Sequence, residues 1–455
     1  MRKLCGLLDG VEELERVLAA IEGGRCPAAV SGLSPVHRAH FAAAVAARTG
    51  RSVVLLCAGE EEADGLAADL HALTGREVIR IYPREFAFYD GAASHDWEHR
   101  RLSAFRAMGA GEALAVVCTI EALLSRTIPP ALLEKASFTL SAREAMPLEK
   151  AVEGLVRAGY SRTEQVEGVG QFALRGGILD FFSPAYDRPV RVEYWGDDID
   201  SMGLFDPMTQ RRTETLEEAA VLPAAEVIAP LGDGPELPSS DRYLPQIYRE
   251  VATAADYLPA DGVIFWSESG RVRERGEHYL WGLQEDVKAL IEKELIPGDT
   301  GVYARTVEEL AARLMDWPTV YLDSFAASRY PVPPRTLLSV MAKQLPSFGA
   351  SLETAVSDLS HYIREEYAVT VLVHSEQRAL NLQTLLREQK VRSAVDFSLH
   401  ELPRPGQIVI AVGGLSAGFE YPETRRAVLT QGNAAPVKRK RRHAAQATNR
   451  QKLAS

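Results

Sequence analysis

The sequence predicts an α/β fold class, on three observations. Short apolar runs alternate with helical segments from Val11 to Cys118. Between Gly170 and Trp195 apolar residues alternate with polar ones instead, and from Phe348 the alternation of helix and strand starts again. The first and third patterns call for parallel strands buried on both faces, the second for a half-buried antiparallel sheet. With 455 residues the chain has room for roughly three or four domains of about 100 to 150 residues each.

In chain order, Val11–Ile21 has helical spacing, Ala28–Val30 reads as a short strand, Pro35–Ala47 as an alanine-rich helix and Ser52–Cys57 as a continuous apolar strand. A helix near Glu62–Leu73, a strand at Glu77–Ile81 and a buried strand at Ala113–Cys118 follow. Pro129-Pro130 and a helix over Leu148–Ala158 lead into the alternating region. There Phe172 and Leu174 alternate with Gln171, Ala173 and Arg175, and Val190, Val192 and Tyr194 alternate with Arg191, Glu193 and Trp195. Gly176-Gly177 and Gly196-Asp197 supply the bends. After Leu222-Pro223 come a buried strand from Asp261, a charged helix from about Gly276 to Leu295 and a strand at Val320. The last part reads as a helix Leu352–Glu365, a strand Ala368–His374, a helix Glu376–Glu388 and a strand Gln407–Val412.

Composition narrows the function classes. The chain is 46% hydrophobic and 25% charged and contains no run of 18 or more apolar residues. Asp9, Glu12 and Glu13 interrupt the N-terminus, which rules out a membrane span, argues against a signal peptide and leads to the expectation of a cytoplasmic location. Cys5, Cys26, Cys57 and Cys118 lie far apart, with no Cys-x-x-Cys pair, which fits free thiols in a reducing compartment and offers no zinc framework. The net charge is −11, yet the segment from Pro436 holds seven basic residues and no acid. Without that tail, 44 basic residues face 62 acidic ones, a poor surface for neutralising phosphates. The tail itself, Lys438 to Lys452, reads either as a solvated linker or as a nucleic-acid contact.

The most specific string is the ordered series Gly159 to Arg162, Gly170 to Gly177, Asp180 to Phe182, Arg191 to Asp197 and Phe205 to Arg211. It resembles the UvrA-binding domain shared by UvrB and the bacterial transcription-repair coupling factors. That resemblance implies the full architecture: a degenerate helicase-like parallel-sheet domain in two segments, an inserted α+β antiparallel-sheet domain, then a small C-terminal α/β domain. The implied domains are 1–127, 128–224 (the UvrA-binding insert), 225–340, 341–432 and a basic linker or tail at 433–455. By position, the family's contacts with UvrA carry to Arg162, Arg175, Phe182, Arg191 and Glu193.

Three features place the chain nearer to the coupling factors than to UvrB. A phosphate-binding loop needs Gly-x-x-x-x-Gly-Lys-Ser/Thr, so that backbone can approach the phosphates, a lysine can reach them and a hydroxyl can hold magnesium. Aligned on Gly32, this chain has His37 where the second glycine should be, then Arg38 and Ala39, with Pro35 removing a backbone donor. Also, the stretch from Ile81 to Phe105 lacks the tyrosine-dense insertion that UvrB would carry there. Gly414 to Pro422 resembles a segment of the small domain that follows the UvrB-like module in the coupling factors.

One competing motif is His95-Asp96-Trp97-Glu98-His99, which matches His-x-x-Glu-His and raises a zinc hydrolase. No third ligand is recognisable downstream, so an exposed helix start is the plainer reading. The expectations are therefore a monomeric, non-enzymatic recruiting module that binds UvrA without cofactor or metal. RNA polymerase and duplex DNA would be bound by other domains of the family, including its translocase. The same resemblance implies a UvrA-binding face left open here, since the family is thought to mask it with a C-terminal region. The alternative is a nucleic-acid-binding, UvrB-like scaffold that uses the basic tail.

Overall fold

In the computed structural model, the structure describes residues 1–89, 96–111, 114–231, 237–348 and 352–432. Two compact units form, Met1–Lys343 with Tyr421–Thr424, and Gln344–Glu420 with the chain from Arg425.

The first unit begins with α1 (Glu12–Glu22), β1 (Ala28–Ser31), α2 (Pro35–Thr49), β2 (Val53–Cys57), α3 (Glu60–Thr74), β3 (Val78–Ile81), α4 (Asp96–Ala110), β4 (Ala115–Thr119), α5 (Ile120–Leu124) and α6 (Pro130–Ala136). A separate set follows: β5 (Phe138–Ser141), α7 (Leu148–Arg157), β6 (Ser161–Arg162), β7 (Gln171–Arg175), β8 (Ile178–Phe181), β9 (Val190–Trp195), β10 (Asp198–Phe205), β11 (Arg212–Thr215) and β12 (Glu218–Val221). The unit ends with α8 (Leu244–Ile247), β13 (Val263–Ser267), α9 (Ser269–Glu292), α10 (Val307–Leu314), β14 (Thr319–Leu322) and β15 (Thr336–Ser339).

Strands from both ends of this series share one seven-stranded sheet in the order β15-β1-β14-β13-β2-β4-β3. All its pairings are parallel. The apolar runs are thereby explained: β2, β4, β13 and β14 are buried at every residue, as strands covered on both faces must be. The alanines of α2 also have a role, since Ala39 and Ala42 to Ala46 are all buried and small side chains let the helix pack closely. The free cysteines follow the same logic, with Cys5, Cys57 and Cys118 buried and Cys26 partly so.

His40 lies within α2, fully buried, with Nε2 2.8 Å from the carbonyl of Leu4. Burial pushes its pKa down to about 4. The unfolded chain, with an ordinary histidine, then binds the extra proton between about pH 6.5 and 4, so stability is lost as pH falls through that window. We expect a loss of ~2 kcal/mol between pH 7.5 and 5 from this group. Urea unfolding of the native chain and of His40→Gln at both pH values checks it; an equal pH dependence in the two proteins would refute it.

The central set forms a six-stranded sheet, β11-β10-β9-β8-β7-β6, and a two-stranded one, β12-β5. All pairings are antiparallel except the short β6-β7 edge. Inserted between β4 and β13, it has its own core: Ala151 and Leu155 of α7, with Ala158 just beyond it, cover Phe181, Val190, Val192 and Met202. Where the chain returns from the insert, Glu226 is fully buried and accepts from Arg84 at 2.8 Å and Arg101 at 2.7 Å, with Thr127 as a third donor. Arg84 also pairs with Asp241, and the backbone N–H of Glu226 donates to Glu98.

The charged helix departs from expectation. It starts at Ser269, two turns before Gly276, because the N–H and hydroxyl of Ser269 both donate to Asp323 beyond β14, at 2.6 and 2.9 Å. This tertiary cap replaces a local signal that Gly270 obscures.

The second unit contains α11 (Leu352–Arg364), β17 (Ala368–Val373), α12 (Glu376–Glu388), β18 (Ala394–Val395), β19 (Ile408–Val412), β20 (Gly418–Tyr421) and β21 (Arg426–Thr430), preceded by β16 (Lys343–Leu345). Its sheet order is β16-β20-β21-β17-β19-β18. Leu359, Val369, Val371, Leu382, Leu386 and Ile410 form its core. The basic tail lies outside the described residues.

Candidate functional site

The inserted sheet packs one face on α7 and turns the other outward. Strand pairing aligns Arg175 with Ile178, Ile178 with Glu193 and Glu193 with Ser201 in one row across β7, β8, β9 and β10. The next row aligns Ala173, Asp180, Arg191 and Gly203. The tight β7-β8 bend depends on glycine. Gly176 has φ +58°, and a Cβ on Gly177 would lie 2.9 Å from the carbonyl of Tyr194.

The five residues expected from the sequence play different parts in this geometry. Arg191 is committed internally: its fork donates to Asp180 at 2.7 and 2.8 Å, and to the side chain of Gln210 at 2.7 Å. Its guanidinium also lies 4.3 Å from the ring centre of Phe205. The bond to Asp180 raises its pKa above the ordinary arginine value. Glu193 accepts from Ser201 at 2.6 Å and pairs with Arg212 at 3.3 Å, while staying partly exposed. Phe182 is half-buried, its backbone pairing with Gly170 and Gln171.

Arg162 and Arg175 are different. Both are exposed, and among the described residues neither side chain has an ion pair or hydrogen bond. They border a shallow groove of about 670 Å³, lined also by Thr163, Glu164, Gln165 and Leu174. An unpaired guanidinium fork at a groove is ready for a carboxylate from outside.

Sequence reasoning missed two neighbours. Ile178 is 38% exposed beside Arg175, and Trp195 is 84% exposed at the end of the same face of β9. Their signal was present: Ile178 is out of phase with the buried Leu179 and Phe181, and Trp195 continues the outward series of Arg191 and Glu193. Apolar side chains beside unpaired arginines make the usual composition of an interface hot spot.

The loop that aligns with a phosphate-binding loop is a turn between β1 and α2. Gly32 has φ +90°, and a Cβ there would lie 2.1 Å from the carbonyl of Val340. Ser34 precedes the helix, its hydroxyl 2.7 Å from Nδ1 of His37, and His37 and Ala39 are buried. Arg38 points into the crevice at the carboxyl ends of the strands and bonds to Glu62, Glu268, Ser267 and Ser324.

Of the His-x-x-Glu-His motif, His95 lies outside the described residues. His99 sits 3.1 Å from the carbonyl of Ala224 and Glu98 holds the N–H of Glu226, so both serve the junction with the insert. Among the described residues no group of three or more possible ligands could hold a metal ion. No helix among them is long and apolar enough to cross a membrane.

Comparison with known proteins matches the inserted domain to a family. The family described as the UvrB interaction domain matches residues 138–226, which spans β5 to the buried Glu226. The Transcription-repair-coupling factor of Bacillus subtilis (strain 168) is 24% identical over 464 residues, covering 92% of this chain and 39% of that protein. The protein of the same name from Staphylococcus aureus (strain MRSA252) is 24% identical over 450 residues, covering 90% of this chain and 38% of its own length. The chain therefore spans under two fifths of the length of these relatives.

Proposed function

We propose that this chain, which is similar to the transcription-repair-coupling factors, is a recruiting module that binds UvrA through the outward face of its inserted sheet and the adjoining β6 edge. The observation that carries this reading is the pair Arg162 and Arg175, exposed and unpaired at one groove, within a matched UvrB interaction domain. Arg175 reaches carboxylates of the partner, Ile178 and Trp195 bury apolar area beside it, and Phe182 and Glu193 complete the rim. Arg191 works indirectly, by holding β8, β9 and the 206–210 turn in register through Asp180 and Gln210.

In this reading the insert at 128–224 is the docking domain, the parallel-sheet segments 1–127 and 225–340 are its carrier, and 341–432 is a separate small domain. The module performs no chemistry. A helix start with His37, Arg38 and Ala39 in place of glycine, lysine and a hydroxyl lacks the groups that hold phosphates and magnesium. Contacts with RNA polymerase and duplex DNA, and translocation, are assigned to other parts of the longer relatives.

Calorimetric titration of purified UvrA into this chain, without nucleotide, tests the reading. Arg175→Ala is expected to weaken binding tenfold or more, which is ~1.4 kcal/mol. A folded native chain that gives no binding would reject the assignment.

A further inference from the structure

We propose that the crevice at the carboxyl ends of β1, β14, β13 and β2 is a guanidinium-binding site, and that Arg38 occupies it as a ligand built into the chain. This is the place where open α/β sheets receive ligands. The four strands are neighbours in the sheet, and the end of each supplies at least one group to the crevice. Arg38 comes from the first turn of α2 after β1, Glu62 from α3 after β2, Ser267 and Glu268 from the end of β13, and Ser324 from beyond β14.

The recognition is complete. Nε of Arg38 donates to the carbonyl of Leu33 at 3.0 Å. Nη1 donates to Glu62 at 3.1 Å and Ser267 at 2.9 Å, and Nη2 to Ser324 at 2.8 Å and to Glu268. Those bonds use all five N–H groups of a guanidinium, in the planar arrangement that an ammonium could not satisfy. The Arg38 side chain is 3% exposed.

The site also has acceptor capacity to spare. Asp323, 1% exposed, acts on Arg38 through space, and among the described residues its Oδ2 has no hydrogen-bond partner; neither has Oε2 of Glu62. Two acids, Glu62 and Glu268, thus touch Arg38, with Asp323 acting on it from further off and Arg271 opposing them. Removing Arg38 would leave a cavity lined by acids, which repels phosphates and attracts a planar cation. The crevice is therefore selective for a guanidinium rather than vacated for a nucleotide, which goes beyond the missing phosphate-loop residues. In the native chain this one side chain ties together residues 38, 62, 267, 268 and 324, drawn from both segments of the parallel sheet.

The test uses the full chain and Arg38→Ala, with guanidinium chloride at millimolar concentration as the probe. Arg38→Ala is expected to melt roughly 5 to 10 °C lower than the native chain. Guanidinium should restore most of that shift in a saturable way, while equal sodium chloride or urea should not, and the native chain should not respond. ATP and ADP should stabilise neither protein. If Arg38→Ala does not fold in ordinary buffer, the readout becomes the yield on dilution from urea, with recovery expected in guanidinium and none in sodium. Melting of Arg38→Ala unaltered by guanidinium, stabilisation by a nucleotide, or equal refolding yields would each overturn the proposal. Binding of UvrA by the refolded variant is a separate measurement, so a failure of this site and a failure of the docking surface are told apart.

Discussion

Glu226→Ala is expected to destabilise the chain by ~3 to 5 kcal/mol, a large share of the stability of an ordinary folded domain. The carboxylate is fully buried and is shared by two guanidinium groups, Arg84 and Arg101, whose side chains are also fully buried. Removing it leaves two cations facing one another in a low-dielectric interior, with Thr127 deprived of its acceptor. The position adds to the cost, because residue 226 closes the insert onto α4, where Glu98 holds its backbone N–H. Equilibrium urea unfolding of the native and variant chains measures the loss. A shift under ~1 kcal/mol would mean that the network is solvated and contributes little.

The second large effect concerns the groove at the β6 edge of the inserted sheet, which Arg162 and Arg175 both line. Reversing both unpaired arginines, Arg162→Glu with Arg175→Glu, is expected to weaken UvrA binding by a hundredfold or more, about 2.7 kcal/mol, through two like-charge contacts in place of attractive ones. Both side chains are exposed and make no described contact, so the melting temperature should stay with that of the native chain. Arg191→Ala should do the opposite: losing its fork strands the buried Asp180 and costs about 2 kcal/mol of stability. Calorimetry paired with thermal melting separates the two. Should the double reversal bind normally, the groove beside β6 is not the docking surface.

These two outcomes also mark how far the sequence could be read. Buried parallel strands announce themselves, because a strand covered on both faces needs unbroken apolar runs such as Val53–Cys57 and Val263–Ser267. Period-two alternation likewise put Arg175 and Arg191 on one face. It could not distinguish them, since Arg191 is opposite Asp180 only after β8 and β9 pair, and pairing is not a property of either strand alone. The pairing of Arg84 and Arg101 is invisible in the sequence for the same reason; their acceptors at 226 and 241 are more than 100 residues away. The early start of α9 was hidden because its cap, Asp323, comes from another strand end. Trp195 was visible as an outward position, but exposure of 84% is a fact of the fold rather than of the pattern.

The pairing of β5 with β12 has a mechanical meaning. Phe138, the first residue of the entering strand, lies opposite Val221, the last of the leaving strand, so the chain goes into and out of the insert side by side. A pull exerted on the outward face therefore runs down two adjacent antiparallel strands at once and in the same direction. It does not peel them apart, because neither strand is drawn away from the other. Any load on the insert thus reaches the parallel sheet through two paired strands whose Leu140, Ala219 and Val221 are packed into the insert's own core, so that the domain is held by its interior and not by a loose tether.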